Sequence, residues 1–166
     1  MKKHLFLTIL LCTSMVQAQD RESKRPAYRL EIAADEHHQY AADLPESPYL
    51  ITTNTLQLFC NEKILIECEI QDNQIENMKV VEQNYHPDRT ISVEFFQDAT
   101  DRQNIQSTLL VKNPFDKELR YEALMLTPTS QEWRETSIIP ISPHLQNYEM
   151  WPHAIIGLVL GEWTLE

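Results

Sequence analysis

Cys60 and Cys68, and the run Asp35-Glu36-His37-His38, are the groups in this chain best suited by type to do chemistry. A thiol becomes a redox nucleophile when a nearby second thiol lowers its pKa, as in C-x-x-C. The spacing here is wider, and each cysteine lies in an apolar stretch, LQLFC and ILIECEI. A loop of odd length between those stretches aligns Leu56, Leu58 and Cys60 with Ile66, Cys68 and Ile70 on one face. In an oxidising compartment that alignment predicts a structural disulfide, contributing roughly 2.5 kcal/mol by chain entropy. Two buried free thiols are the alternative.

The Asp35–His38 run carries metal-capable groups, but metal ligands must converge from a supported backbone. Adjacent residues of an extended segment point apart, so the run reads as a solvated polar stretch and no metal site is expected. His86 and His144 fall beside prolines in expected turns and His153 just before the last expected strand, with no nucleophile carrying a local signature beside them. Only Gly157 and Gly161 supply glycine, which excludes the phosphate-cradling loop, the dinucleotide fingerprint and the G-x-S-x-G elbow. No catalytic residue and no cofactor are expected.

These groups need elements to hold them. After Met1-Lys2-Lys3-His4, residues 5–16 are apolar and Val16-Gln17-Ala18 has small-residue cleavage spacing. Together they predict a secretory signal peptide over residues 1–18. The apolar run is too short for a membrane-spanning helix, so no span is expected after cleavage, and the style of the signal points to the periplasm. Residues 19–48 are charged and punctuated by Pro26, Pro45 and Pro48. They read as a flexible arm with one short strand at most, over Tyr28, Leu30 and Ile32.

From residue 49 to 166 the pattern is that of strands, expected at 55–60, 64–70, 77–82, 90–97, 105–112, 119–126, 136–141, 148–151 and 155–165. Ile91, Val93 and Phe95 alternate with Ser92 and Glu94, and Leu119, Tyr121, Ala123 and Met125 with Arg120 and Glu122. Asp72-Asn73, His86-Pro87-Asp88 and Asn113-Pro114 mark turns, Asn and Asp standing where glycine is missing. The expectation is an all-β chain with one antiparallel sandwich domain.

The stretch from Leu109 resembles the back half of a bacterial immunoglobulin-like or fibronectin-like domain, with Asn113-Pro114 at a strand corner and Tyr121 and Trp151 as aromatics. The resemblance implies an immunoglobulin-like sandwich and carries over no binding residue.

With 25 acidic against 14 basic residues the chain carries a net charge of −11, which opposes phosphate-backbone binding; no nucleic acid is expected. Ser130 to Glu135 is polar and hairpin-like around Trp133, and Trp is a frequent hot-spot residue. Trp133 and Arg134 are therefore the expected interface. The function that fits is a non-catalytic periplasmic protein-binding or scaffold module, such as an accessory of an envelope-spanning secretion machine. Its partner would be another envelope or periplasmic protein, of basic character. The alternative is a periplasmic inhibitor or immunity protein neutralising a toxin, lysozyme or protease.

Overall fold

The computed structural model describes residues 24–130 and 132–166; the signal peptide expected over 1–18 lies outside the described residues. Within them the chain is all-β and antiparallel. In chain order the strands are β1 (Lys24–Arg25), β2 (Tyr28–Ala33), β3 (Gln39–Leu44), β4 (Ser47–Pro48), β5 (Leu56–Phe59), β6 (Glu62–Gln71) and β7 (Gln74–Val81). There follow β8 (Thr90–Asp98), β9 (Gln106–Lys112), β10 (Leu119–Leu126), β11 (Arg134–Thr136), β12 (Gln146–Trp151) and β13 (Gly157–Leu165).

Nine of them form one curled sheet in the order β11-β10-β13-β7-β6-β8-β9-β12, with β5 also paired to β13. β13 links the two parts of the sheet. Along one side it pairs with β10; along the other, Gly157–Leu160 pair with β5 and Thr164 with Gln74 of β7. Period-two alternation explains the interior. Ile91, Val93 and Phe95 of β8, Ile64, Ile66 and Cys68 of β6, and Leu158 and Leu160 of β13 all point into one apolar core. Asp72 and Asn73 both adopt positive φ and close the tight β6–β7 hairpin, as such two-residue turns require. Neither glycine does so; Asn61, His144 and Glu162 hold the other positive-φ positions among the described residues.

The described part of the expected arm, 24–48, is built differently. It carries four strands, and the β2–β3 hairpin buries Leu30, Ile32 and Ala33 in the core. Gln97 fixes it with two bonds, its amide oxygen accepting from Ala33 N at 2.8 Å and its amide nitrogen donating to Ala33 O at 2.9 Å. Apart from Arg25, which is buried, the charged residues of this segment line the exposed side and mask a short apolar alternation.

Residues 136–141 do not form the expected strand. Only Thr136 pairs in β11, and Ile141 makes an isolated bridge to Leu119. Instead this segment runs between the two ends of the curled sheet. Trp151 Nε1 donates to Thr136 Oγ1 at 2.9 Å, and Ile139 N donates to Glu149 Oε1 at 2.7 Å. Asn113 Nδ2 donates to Ile141 O at 2.9 Å. Side chains join the ends; no ladder does.

The Cys60–Cys68 disulfide is also corrected: both thiols are free and buried. The reason is topological. β5 and β6 do not pair, because the chain turns a corner at Cys60-Asn61, with Asn61 at φ 72°. Asn61 N then bonds Phe95 O at one end of β8, whereas Cys68 N bonds Arg89 O near the other. Six residues of strand separate Phe95 from Arg89, about 20 Å, far beyond the ~7 Å Cα separation a disulfide tolerates. Burial pushes both thiols up to about 12.

Candidate functional site

A groove of about 600 Å³ lies on the face of β10, β11 and β13 turned away from the core. Its floor follows from register. Leu124 stands opposite both Glu135 and Val159, and Glu122 opposite Gly161, so these side chains share one face. Gly161 keeps the floor low, and the hydroxyl-bearing Thr55 forms the far wall.

A β-bulge shapes one rim. Arg120 faces Thr164 and Glu122 faces Gly161, which leaves Tyr121 opposite both Glu162 and Trp163. Glu162 takes the extra position at φ 52° and is exposed, the local re-aiming that bulges produce. On the inward side the same bulge lets Tyr121 and Trp163 stack, centroids 4.5 Å apart at 23°. The Tyr121 hydroxyl and Trp163 Nε1 are buried without a hydrogen-bond partner among the described residues. Burial first, and the charge of Glu149 second, raise the Tyr121 phenol above its ordinary value.

Glu122, Glu135 and Glu162 all line this groove. None of the three carboxylates makes an ion pair or side-chain hydrogen bond among the described residues, whereas Glu62, Glu67, Glu94 and Glu118 are each engaged by a cation. Such a cluster is a field of negative charge that a Lys or Arg would neutralise.

Trp133 and Arg134, the expected interface, are not among the residues that line the groove, although Arg134 directly precedes Glu135 in β11. Arg134 opens β11, pairs with Met125 and is exposed. Trp133 precedes it, 36% exposed. The Asp35–His38 run folds as the β2–β3 turn. Asp35 Oδ1 accepts from the backbone N–H of His37 and of His38, each at 2.8 Å, and its carboxylate meets His38 Nδ1. Those two backbone bonds, and then the His38 side chain, bring Asp35 down to about 2. Gln103 Nε2 donates to Glu36 Oε1 at 2.9 Å, so the run is tied to the 98–104 loop. His144 bonds Asp116 at 2.7 Å in a separate exposed turn. Among the described residues no three His, Cys, Asp or Glu converge on a metal position, and no helix is long and apolar enough to cross a membrane.

The groove carboxylates escaped sequence reasoning. Glu122 is legible as a strand residue facing outward, but nothing in the sequence marks the bulge at Glu162 or the pairing of Glu135 with Leu124. Comparison with family models, with curated proteins and with solved structures finds no match.

Proposed function

We propose that this chain is a non-catalytic protein-binding module of the bacterial periplasm that holds a basic partner, as a scaffold or accessory part of an envelope-spanning machine such as a secretion system. One observation carries the reading: Glu122, Glu135 and Glu162 line one groove without an ion-pair partner among the described residues. A basic segment laid along the groove would neutralise them while its apolar part met Leu124 and Val159. Rim charges of this kind act mainly on association rate and salt dependence. We read the curled sheet as an immunoglobulin-like sandwich, a reading supported by the buried Asn113 corner and by Tyr121 in the core. The same acidic groove suits the second reading, an inhibitor or immunity protein, because its target would be a basic toxin or hydrolase.

The test is capture from a periplasmic fraction at low and high salt, with the native groove and with Glu122→Gln, Glu135→Gln and Glu162→Gln combined. The expected result is a basic partner retained at low salt, released at high salt and lost by the triple variant. A partner indifferent to the triple variant, or none at either salt, overturns the reading. If the captured protein is a hydrolase whose activity falls on binding, the inhibitor reading takes precedence.

A further inference from the structure

β12 ends the curled sheet, and its ladder has a definite phase. Asn113 N bonds Leu145 O, so Asn147, Glu149 and Trp151 turn their amides toward β9 and Gln146, Tyr148 and Met150 turn theirs outward. Natural edge strands are blunted by Lys, Pro or a bulge. β12, QNYEMW, contains neither residue and pairs with β9 without a register shift. The contacts that join its end to residues 136–141 pass through the side chains of Asn147, Glu149 and Trp151, not through these outward amides.

The outward face of this edge is apolar. Tyr148 is 56% and Met150 58% exposed, with Leu145 and Ile139 exposed nearby. Across the sheet, Tyr148 adjoins Leu110 and Met150 adjoins Thr108 and, beyond it, Phe96. In a chain of net charge −11 this strip is an exception. The adjoining rows hold Lys112 and one carboxylate, Glu94, and Lys63 engages that carboxylate at 2.7 Å.

We propose that β12 pairs edge to edge with β12 of a second copy of this chain, forming a reversible two-fold dimer. The strand is self-complementary. An antiparallel pair centred on Tyr148 sets Tyr148 against Tyr148 of the second copy and Gln146 against Met150, with about six new backbone bonds and no like charges opposed. Charge selects the occupant. A basic partner gains little here, because the one carboxylate of β12, Glu149, alternates to the face opposite Tyr148 and Met150 and is bonded by Ile139 N and Asn147 Nδ2. In the paired strands Glu149 of one copy stands opposite Asn147 of the other rather than opposite a carboxylate. One short strand and four side chains bury about 1,000 Å² in total, the low end for a specific interface, so the dimer is weak and concentration-dependent.

This inference is independent of the groove, and salt separates the two. Screening weakens capture of a basic partner but relieves repulsion between like-charged copies, so the dimer should strengthen with salt. The experiment is sedimentation of the chain without residues 1–18 from roughly 10 to 500 µM, alongside Tyr148→Lys and Met150→Pro. Proline at 150 removes an outward N–H and so breaks no ladder bond. The expected result is a shift toward dimer with rising concentration, and two variants that keep the native circular dichroism and remain monomeric. A native chain that stays monomeric throughout, or a dimer that persists in both folded variants, overturns the proposal.

Discussion

Arg25 and Glu62, 37 positions apart, form a buried two-point ion pair: Arg25 Nε meets Glu62 Oε1, and Nη2 meets Oε2 at 2.9 Å. The guanidinium is wholly buried and lies over the rings of Tyr49 and Phe59, 4.6 and 4.8 Å from their centroids. Its remaining N–H groups donate to Ser47 Oγ, Pro48 O and Gln57 O. Removing one partner strands the other charge in the core. Arg25→Ala is therefore expected to cost about 3–5 kcal/mol in urea denaturation, and Arg25→Met combined with Glu62→Met much less.

Asn113 organises the corner after β9. It is fully buried; Nδ2 donates to Lys117 O, Ile141 O and Ser142 O, and Oδ1 accepts from Phe115 N. Asn113→Ala should destabilise the fold by about 3 kcal/mol by orphaning buried backbone groups. Asn113→Asp should cost at least as much, because a carboxylate would face three carbonyl oxygens. Thermal unfolding of the two variants checks both.

Cys60 and Cys68 should resist alkylation at pH 8 in the native chain and react without reductant once denatured, with peptide mapping locating the label. A Cys60–Cys68 peptide linked by a disulfide would refute this. Both thiols are raised to about 12 by burial, against roughly 8.5 when unfolded. The folded state thus holds the proton more tightly. This contribution to stability is complete below pH ~8.5 and is lost as pH climbs toward 12. Urea midpoints at pH 8 and 10.5 should fall more for the native chain than for Cys60→Ala combined with Cys68→Ala.

The two glycines should respond oppositely to alanine. At Gly157 a Cβ would lie 2.9 Å from Leu58 O, a backbone atom of β5 that cannot yield, so Gly157→Ala should cost about 1–3 kcal/mol. At Gly161 it would meet only Thr55, at 3.6 Å, and φ is not positive. Gly161→Ala should gain about 0.5 kcal/mol through the unfolded chain while its methyl intrudes on the groove. Calorimetry of the two variants decides.

Strand positions were legible wherever one face is buried: Ile91, Val93 and Phe95 alternate, and all three are fully buried. Asn and Asp do supply most of the positive-φ turns, at Asn61, Asp72 and Asn73. Pairing partners were not legible. Alternation says which side of a strand faces inward but not which strand lies beside it, so β5 looked like the neighbour of β6 although it joins β13. Arg25 was hidden for a different reason. A lone arginine between Lys24 and Pro26 looks solvated until Glu62, Tyr49 and Phe59 converge on it from distant parts of the chain. The groove required three strands and a bulge to be placed first.

The junction between the ends of the sheet has a consequence for motion. A ladder opens cooperatively, because each residue shares its bonds with neighbours, but residues 136–141 are held to β12 by three separate side-chain contacts from Asn147, Glu149 and Trp151. Each can break alone. Amide exchange at Ile139 should therefore outpace that of the β8 core, since local openings draw on the least cooperative contacts. The molecule would then breathe along a single line, parting between β11 and β12 while the sheet around it stays whole.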